Sequence, residues 1–516
     1  MKQLFLMLAT AAVVHAADCE ALKNLTLKAV TITAAEAVPA GPFTPPDKSK
    51  IGNMPPFCRV AATSKPSADS DIQFEVWMPA EGWNGKFQGV GNGGYAGSIS
   101  YGAMATAVRA GYATASTDTG HKAAGGGAGW ALGHPEKTAD FGHRAIHEMT
   151  VHGKALLAAY YGSPAKRAYF SSCSNGGRQA LMEAQRYPAD YDGIVAGAPA
   201  NYWTRLMVNG VNLSRETAAS ESGYIPAAKL PAIQAAALAA CDAGDGARDG
   251  VIGDPERCRL DLSRLQCKGA ENDECLTPGQ VKELQVLYGG TKTSKGKVVS
   301  PGYTMGGEAE SGGWGPWITG AAREKSLMFM FGTEFFKNMV YSDKAWDYRK
   351  FDVDRDWKAA EAKAGPLVNA DNPNLKAFHA RGGKLILYHG WSDAAIPGQM
   401  AITYFESVQK KMGAKKTSEF VRLFMVPGMQ HCGAGSGANS FGQGGTGKGD
   451  PKNNVAAALE HWVEQGVAPE EIIAMRTAGG KVEKTRPLCA HPKVAKYKGA
   501  GDVNDAANWA CTAPGK

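Results

Sequence analysis

Ala168-Tyr169-Phe170-Ser171-Ser172-Cys173-Ser174-Asn175-Gly176-Gly177-Arg178 is the stretch on which the reading of this chain turns. The run 168–171 is short, apolar and aromatic, as a buried strand is. Small residues then allow a tight turn, and a helix is expected from just after Ser174 to about Arg186. Ser174 thus stands where a strand ends and a helix begins. Two roles compete for a serine there. Its side chain can cap the helix. Alternatively, a sharp turn projects the hydroxyl as a nucleophile and aims the first helical N–H groups at a developing anion. The nucleophile pattern is G-x-S-x-G, and here Ser172 replaces its first glycine.

The flanking sequence alternates strands and helices. Strands are expected at 72–78, 85–90, 113–116 and 193–196, and helices at 103–110 and 140–161. The alternation fades after Pro199 and resumes with strand 384–389, helix 397–412, strand 420–426 and helix 455–465. Such a pattern predicts an α/β fold with a largely parallel sheet. Residues 17–201 and 372–516 would form the two parts of that domain. Residues 202–371, irregular and rich in Gly, Trp and Asp, would form an inserted lid.

The loops after the resumed strands carry Asp393, in Gly390-Trp391-Ser392-Asp393, and His431, in Gln430-His431-Cys432. Nucleophile, acid and histidine in that chain order, each after a strand, follow the α/β-hydrolase triad. Ser174 is the candidate nucleophile, His431 the general base and acid, and Asp393 the orienting acid. His389 and His121 are weaker rivals for the base. The expected oxyanion donors are the backbone N–H of Asn175 and that of Gly93 or Gly94, in the Gly-rich loop 91–97. That loop lacks the spacing of a dinucleotide fingerprint.

Composition narrows the class. The 516 residues are 44% apolar and 20% charged, with a formal charge of +7 spread along the chain. No basic stripe interleaved with aromatics points to nucleic acid. Lys2, the apolar stretch 4–14 and Val14-His15-Ala16 read as a signal peptide over residues 1–16. No later stretch is apolar enough to span a membrane, so a secreted or periplasmic protein is expected. Ten cysteines, with no CxxC pair, fit disulfides in an exported chain. Proximity suggests Cys241–Cys258, Cys267–Cys275 and Cys489–Cys511, leaving Cys19–Cys58 and Cys173–Cys432. Spacing alone leaves this connectivity open.

Cys-Ser-x-Gly-Gly-Arg at 173–178, Gly-Trp-Ser-Asp at 390–393 and His-Cys at 431–432 resemble the tannase and feruloyl esterase family. So do Asp140-Phe141-Gly142, the stretch 193–199 and the order of the cysteines. The resemblance implies an α/β-hydrolase fold with a large inserted lid domain, and a disulfide between Cys173 and Cys432 that ties Ser174 to His431. It also implies hydrolysis of hydroxycinnamoyl or galloyl esters, or, as the alternative, of a terephthalate monoester. The acidic turn 241–251 is similar to the family's lid calcium loop. By that match Asp242, Asp245 and Asp249 side chains and the Ala247 and Val251 carbonyls would hold a structural Ca²⁺. No organic cofactor is expected. The segment's aromatics, Tyr202, Trp203, Trp314, Trp317, Phe329, Phe331, Phe335 and Phe336, are candidates for an apolar slot around a planar acyl group, with Ile396 nearby, and Arg323 is a candidate for a substrate carboxylate. The rival classes are a non-catalytic calcium-dependent binding protein on a hydrolase fold and, more weakly, a serine peptidase.

Overall fold

The computed structural model describes residues 18–123, 126–218 and 223–514. The expected signal peptide lies outside the described residues. Nine strands form the central sheet: β1 (Val30–Val38), β2 (Phe57–Ser64), β3 (Ile72–Pro79), β4 (Lys86–Gly89), β5 (Ala113–Thr117), β6 (Arg167–Cys173), β7 (Gly193–Gly197), β8 (Lys384–Gly390) and β9 (Val421–Val426). Their order is β1-β2-β3-β5-β4-β6-β7-β8-β9. The first three junctions are antiparallel and the remaining five are parallel.

Successive residues of the inner strands alternate between two cores, as a pleated sheet covered on both faces requires. Phe170, Ile194, Leu387 and Leu423 face one cluster, which includes Ile146, Met149 and Leu156 of α2 (Ala145–Tyr161). Tyr169, Val195, Ile386 and Phe424 face the other. There they meet Ala107 of α1 (Tyr101–Arg109) and Leu459 and Trp462 of a later helix, Val455–Gln465. The helix after Ser174 is α3 (Asn175–Arg186). The helix expected at 140–161 opens instead as a wide π turn, Asp140–Arg144, before α2. There Gly142 packs so closely that a Cβ would lie 2.3 Å from the Leu367 carbonyl oxygen.

The segment between β7 and β8 differs from its expected irregularity. It carries five principal helices: α4 (Trp203–Ala218), α5 (Leu230–Cys241), α6 (Pro278–Gly289), α7 (Leu327–Phe335) and α8 (Val353–Lys363). The sequences of α5, α6 and α7 lack the polar–apolar contrast of a surface helix, whereas α4 and α8 have it. Alanine-rich α5 buries only Leu230, Ile233 and Ala237, whereas α7 is apolar on most sides. A capping box between Thr277 and Gln280 starts α6. The insertion has its own core around Leu230, Ile233, Leu284 and Trp314. β1 and β2 were not expected, nor were the carboxyl-terminal hairpins Glu471–Ala478 with Lys481–Cys489 and Val494–Tyr497 with Trp509–Thr512. All ten cysteines pair, as Cys19–Cys58, Cys173–Cys432, Cys241–Cys258, Cys267–Cys275 and Cys489–Cys511.

Candidate active site

β6 ends at Cys173, and the next residue takes φ 66° and ψ −127°. A non-glycine residue there costs on the order of 1–3 kcal/mol, so the surroundings must enforce it. They do so through close packing. A Cβ on Gly177 would fall 2.2 Å from the Gly197 carbonyl oxygen, and one on Gly176 would fall 1.9 Å from Ser172 Oγ. Ser172 thus fits in place of the usual glycine because Gly176 leaves it room. Ser174 occupies the helix N-cap, yet its side chain makes no capping bond. Its Oγ lies 2.9 Å from His431 Nε2.

His431 Nδ1 lies 2.9 Å from Asp393 Oδ2. The other carboxylate oxygen, Oδ1, accepts the N–H groups of Ala395 and Ile396 at 2.8 and 2.9 Å. His389, one of the rival bases, is fully buried behind the acid. Its Nε2 reaches the Ile396 carbonyl at 2.9 Å and Asp393 Oδ2 at 3.2 Å. Burial alone would raise the Asp393 pKa. The facing His431 and the His389 contact nonetheless hold it well below the ordinary carboxylate range. His121, the other rival, stacks on Trp130 and bonds the Tyr95 carbonyl, away from Ser174 Oγ. The Cys173–Cys432 disulfide joins the residue before Ser174 to the residue after His431.

Gly93, Gly94 and Asn175 line the same pocket as Ser174 and His431. Two residues that the sequence reading missed hold this arrangement. Gln179, on α3, accepts the Asn92 N–H and donates to Asn92 Oδ1, while Asn92 Nδ2 donates to the Ser98 and Thr117 carbonyls. The glycine loop is thereby fastened to both the helix and the sheet. Arg178 is wholly buried. It donates to Asn175 Oδ1 and to the carbonyls of Phe141, Gly142 and Val368, and burial lowers its pKa to about 9. These bonds give Asp140-Phe141-Gly142 a structural reason: its wide turn presents carbonyls to the arginine.

The pocket has a volume of about 320 Å³. Trp203, Leu206, Met207, Trp317, Met328 and Phe331 of the insertion form its walls, and Ile396 comes from the acid loop. Trp317 meets the His431 ring edge-on at 5.2 Å. Trp314, Phe335 and Phe336 are core residues instead. Arg323 lines a separate cavity with Tyr224 and Glu283. The insertion is fastened to the reacting loops: Thr304 donates to the Trp391 carbonyl, Gln430 to the Gly307 carbonyl, and Tyr95 to the Phe331 carbonyl.

In the acidic turn, the Asp242 carboxylate accepts the N–H groups of Asp249, Gly250 and Val251. Asp245 accepts from Ala247, and Asp249 pairs with Lys484 and Arg486. Asp249 Oδ1 is buried without a hydrogen-bond partner, as is Asp245 Oδ2, which faces Arg486 Nη1 at 3.7 Å. Carboxylate oxygens without a donor in a glycine-rich turn fit a hard cation, although Lys484 and Arg486 already supply positive charge there. The three aspartates do not bring their oxygens within 4.8 Å of one another as a single group, so main-chain oxygens would have to complete the set.

A mostly parallel sheet whose working loops follow strand carboxyl ends, around a serine at a strand–helix turn, defines the class as α/β-hydrolase. Within that class, the chain belongs to the tannase and feruloyl esterase family, whose family model matches residues 58–512. It is a carboxylic ester hydrolase. It is 42% identical to a protein described as an uncharacterized esterase of Xanthomonas campestris, over 96% of this chain and 91% of the relative. It is 33% identical to feruloyl esterase B of Aspergillus niger, over 95% of this chain and 93% of the relative. The crystal structure of feruloyl esterase B from Aspergillus oryzae superposes with a TM-score of 0.89 at 29% identity, covering 96% of this chain and all of that one. The tannin acyl hydrolase of Aspergillus niger shares the fold, with a TM-score of 0.77 at 22% identity, over 96% of this chain and 94% of that one.

Proposed function

We propose that the chain is an exported serine esterase that hydrolyses esters of aromatic acids through an acyl-enzyme. The observation that carries this reading is the hydrogen-bonded line from Ser174 Oγ through His431 to Asp393, with 2.9 Å at each contact. Ser174 Oγ attacks the ester carbonyl while His431 Nε2 takes its proton. Asp393, held anionic, keeps the proton on Nδ1 and stabilises the imidazolium. The oxyanion is received by the N–H of Asn175 and that of Gly93 or Gly94, each worth roughly 3–4 kcal/mol. Collapse expels the alcohol with the proton from His431. Water then attacks the acyl-enzyme by the same route, releasing the acid and restoring Ser174. A hydroxyl engaged by histidine argues against a non-catalytic binding protein.

The apolar, aromatic pocket suits a planar, neutral acyl group, hydroxycinnamoyl or galloyl. A terephthalate monoester would bring a carboxylate against these walls, and a buried charge needs a partner. Arg323 faces elsewhere, which disfavours that alternative. We assign one structural Ca²⁺ to Asp242, Asp245, Asp249 and the carbonyls of Ala247 and Val251, where it would neutralise the clustered carboxylates. Five disulfides support export, because such bonds persist in oxidising compartments.

The test compares methyl ferulate, methyl gallate and a terephthalate monoester as substrates for wild type and Ser174→Ala. Wild type is expected to turn over a neutral ester at least about 10-fold faster than the monoester, a margin of ~1.4 kcal/mol. The variant should turn over none. Cleavage of a peptide, with none of the esters hydrolysed, would sink the assignment.

A further inference from the structure

A second cluster of chemically active side chains lies at the opposite end of α3 from Ser174. Glu183, near the end of that helix, is nine residues beyond the serine, about 13 Å along the axis at ~1.5 Å per residue. His147 reaches toward it from α2, and Asp190 from the connection into β7. One ligand atom from each lies within 4.8 Å of the other two, and no other such group occurs among the described residues. His147 Nδ1 and Asp190 Oδ2 are 2.6 Å apart.

Glu183 makes this more than a surface acidic cluster. It is 1% exposed, and no donor meets either of its carboxylate oxygens, which face the Asp190 carboxylate at hydrogen-bond reach. Burial and the facing Asp190 push its pKa well above the ordinary carboxylate range. Two carboxylates that face each other out of water need a proton or a cation between them. Lys154, whose ammonium donates to the Asp190 main-chain carbonyl, supplies positive charge nearby but makes no hydrogen bond to either carboxylate. The His147 side chain is 31% exposed, against 9% for Asp190, so the cluster opens to solvent on the imidazole side.

We propose that His147, Glu183 and Asp190 form a site for a borderline divalent transition ion of the Zn²⁺ type. One imidazole nitrogen and two carboxylate oxygens are ligands such an ion takes, and the open side leaves a position for water. Two carboxylates balance the charge of the ion. Calcium and magnesium prefer all-oxygen sets, which separates this site from the acidic turn at 242–251. Binding displaces the proton held between the carboxylates and moves His147 Nδ1 and Asp190 Oδ2 apart to make room. The ion would cross-link α2 to the carboxyl-terminal end of α3, far from the reacting atoms.

Zn²⁺ titration of chelator-treated protein, with Ca²⁺ held saturating, tests this by calorimetry and by Tm. His147→Gln and Glu183→Gln serve as comparisons. Glu183→Gln removes the carboxylate ligand at nearly constant shape, and circular dichroism checks that the fold is kept. Wild type is expected to bind one Zn²⁺ with a Tm gain of several degrees. Both variants are expected to bind at least about 10-fold more weakly and to lose the Tm gain, while keeping esterase turnover. Absence of binding in wild type, or equal binding in wild type and both variants, would overturn the proposal. The first result would leave a proton between Glu183 and Asp190, and the second would place the ion elsewhere. Because neither readout uses ester turnover, failure here is distinguishable from failure of the esterase reading.

Discussion

Ser174, Asp393 and His431 follow three strands of one sheet, whereas Trp317, Met328 and Phe331 come from the helices and turns of the insertion. The first set is held by backbone geometry, hydrogen bonds to both Asp393 carboxylate oxygens and a disulfide. The second is held by side-chain packing, with main-chain anchors at a few points such as Gly307 and Phe331. The difference separates two tasks. Groups that move protons need fixed distances, because a small misplacement costs orders of magnitude in rate. A wall that selects an acyl group needs shape and apolar surface, and tolerates substitution more gradually.

Substitutions in the two regions should therefore differ in kind as well as size. Ser174→Ala is expected to lower kcat by at least about 10⁴-fold with Tm nearly unchanged, since the side chain bonds only to His431. The double variant Cys173→Ala/Cys432→Ala comes next. It releases a link across 259 residues, nominally ~5 kcal/mol of loop entropy. At temperatures where circular dichroism is still native, kcat should fall more than KM rises. Retained kcat with the link absent would refute a positioning role.

His389→Leu probes the support behind the acid. Losing the imidazole contact should reduce kcat by about 5-fold, in keeping with ~1 kcal/mol for a lost hydrogen bond. Unchanged kcat in the folded variant would show that His389 only packs. Phe331→Ala, on the insertion side, should change the ratio of ferulate to gallate turnover by a few-fold at nearly constant reactivity toward a small acetate ester.

A smaller effect concerns stability. Burial lowers the His121 pKa from 6.5 to about 4. The unfolded chain then binds the proton more readily than the native one, so this residue's contribution is intact above about 6.5 and is lost as pH falls toward 4. His121→Gln should flatten the fall in Tm across that window relative to wild type. An identical slope in both proteins would contradict the assigned burial effect.

The same contrast governs what could be read from sequence. Ser174, Asp393 and His431 were legible because strand, turn and helix signals are local and their chain order is constrained. The expected inner strands and the helices around them lie within a few residues of their observed bounds. β1 was not legible, because Val30–Val38 buries only Ile32 and so shows no clean alternation. Among the insertion helices, α5, α6 and α7 were missed because alanine-rich or weakly patterned helices carry little periodic contrast, whereas α4 and α8 carried the contrast and were legible in principle. Met207 and Met328 could not be assigned to the pocket, since helical spacing does not say which buried face borders a void. Gln179 and Arg178 stand in plain view beside the serine, but only the fold reveals that they fasten the glycine loop and the wide turn.

The account rests on a reactive hydroxyl at Ser174, and a serine-directed fluorophosphonate reads that directly. Mass spectrometry of the treated protein is expected to show one phosphonyl adduct, on the peptide containing Ser174, and none in Ser174→Ala. An unlabelled wild type, or equal labelling of the variant, would contradict it.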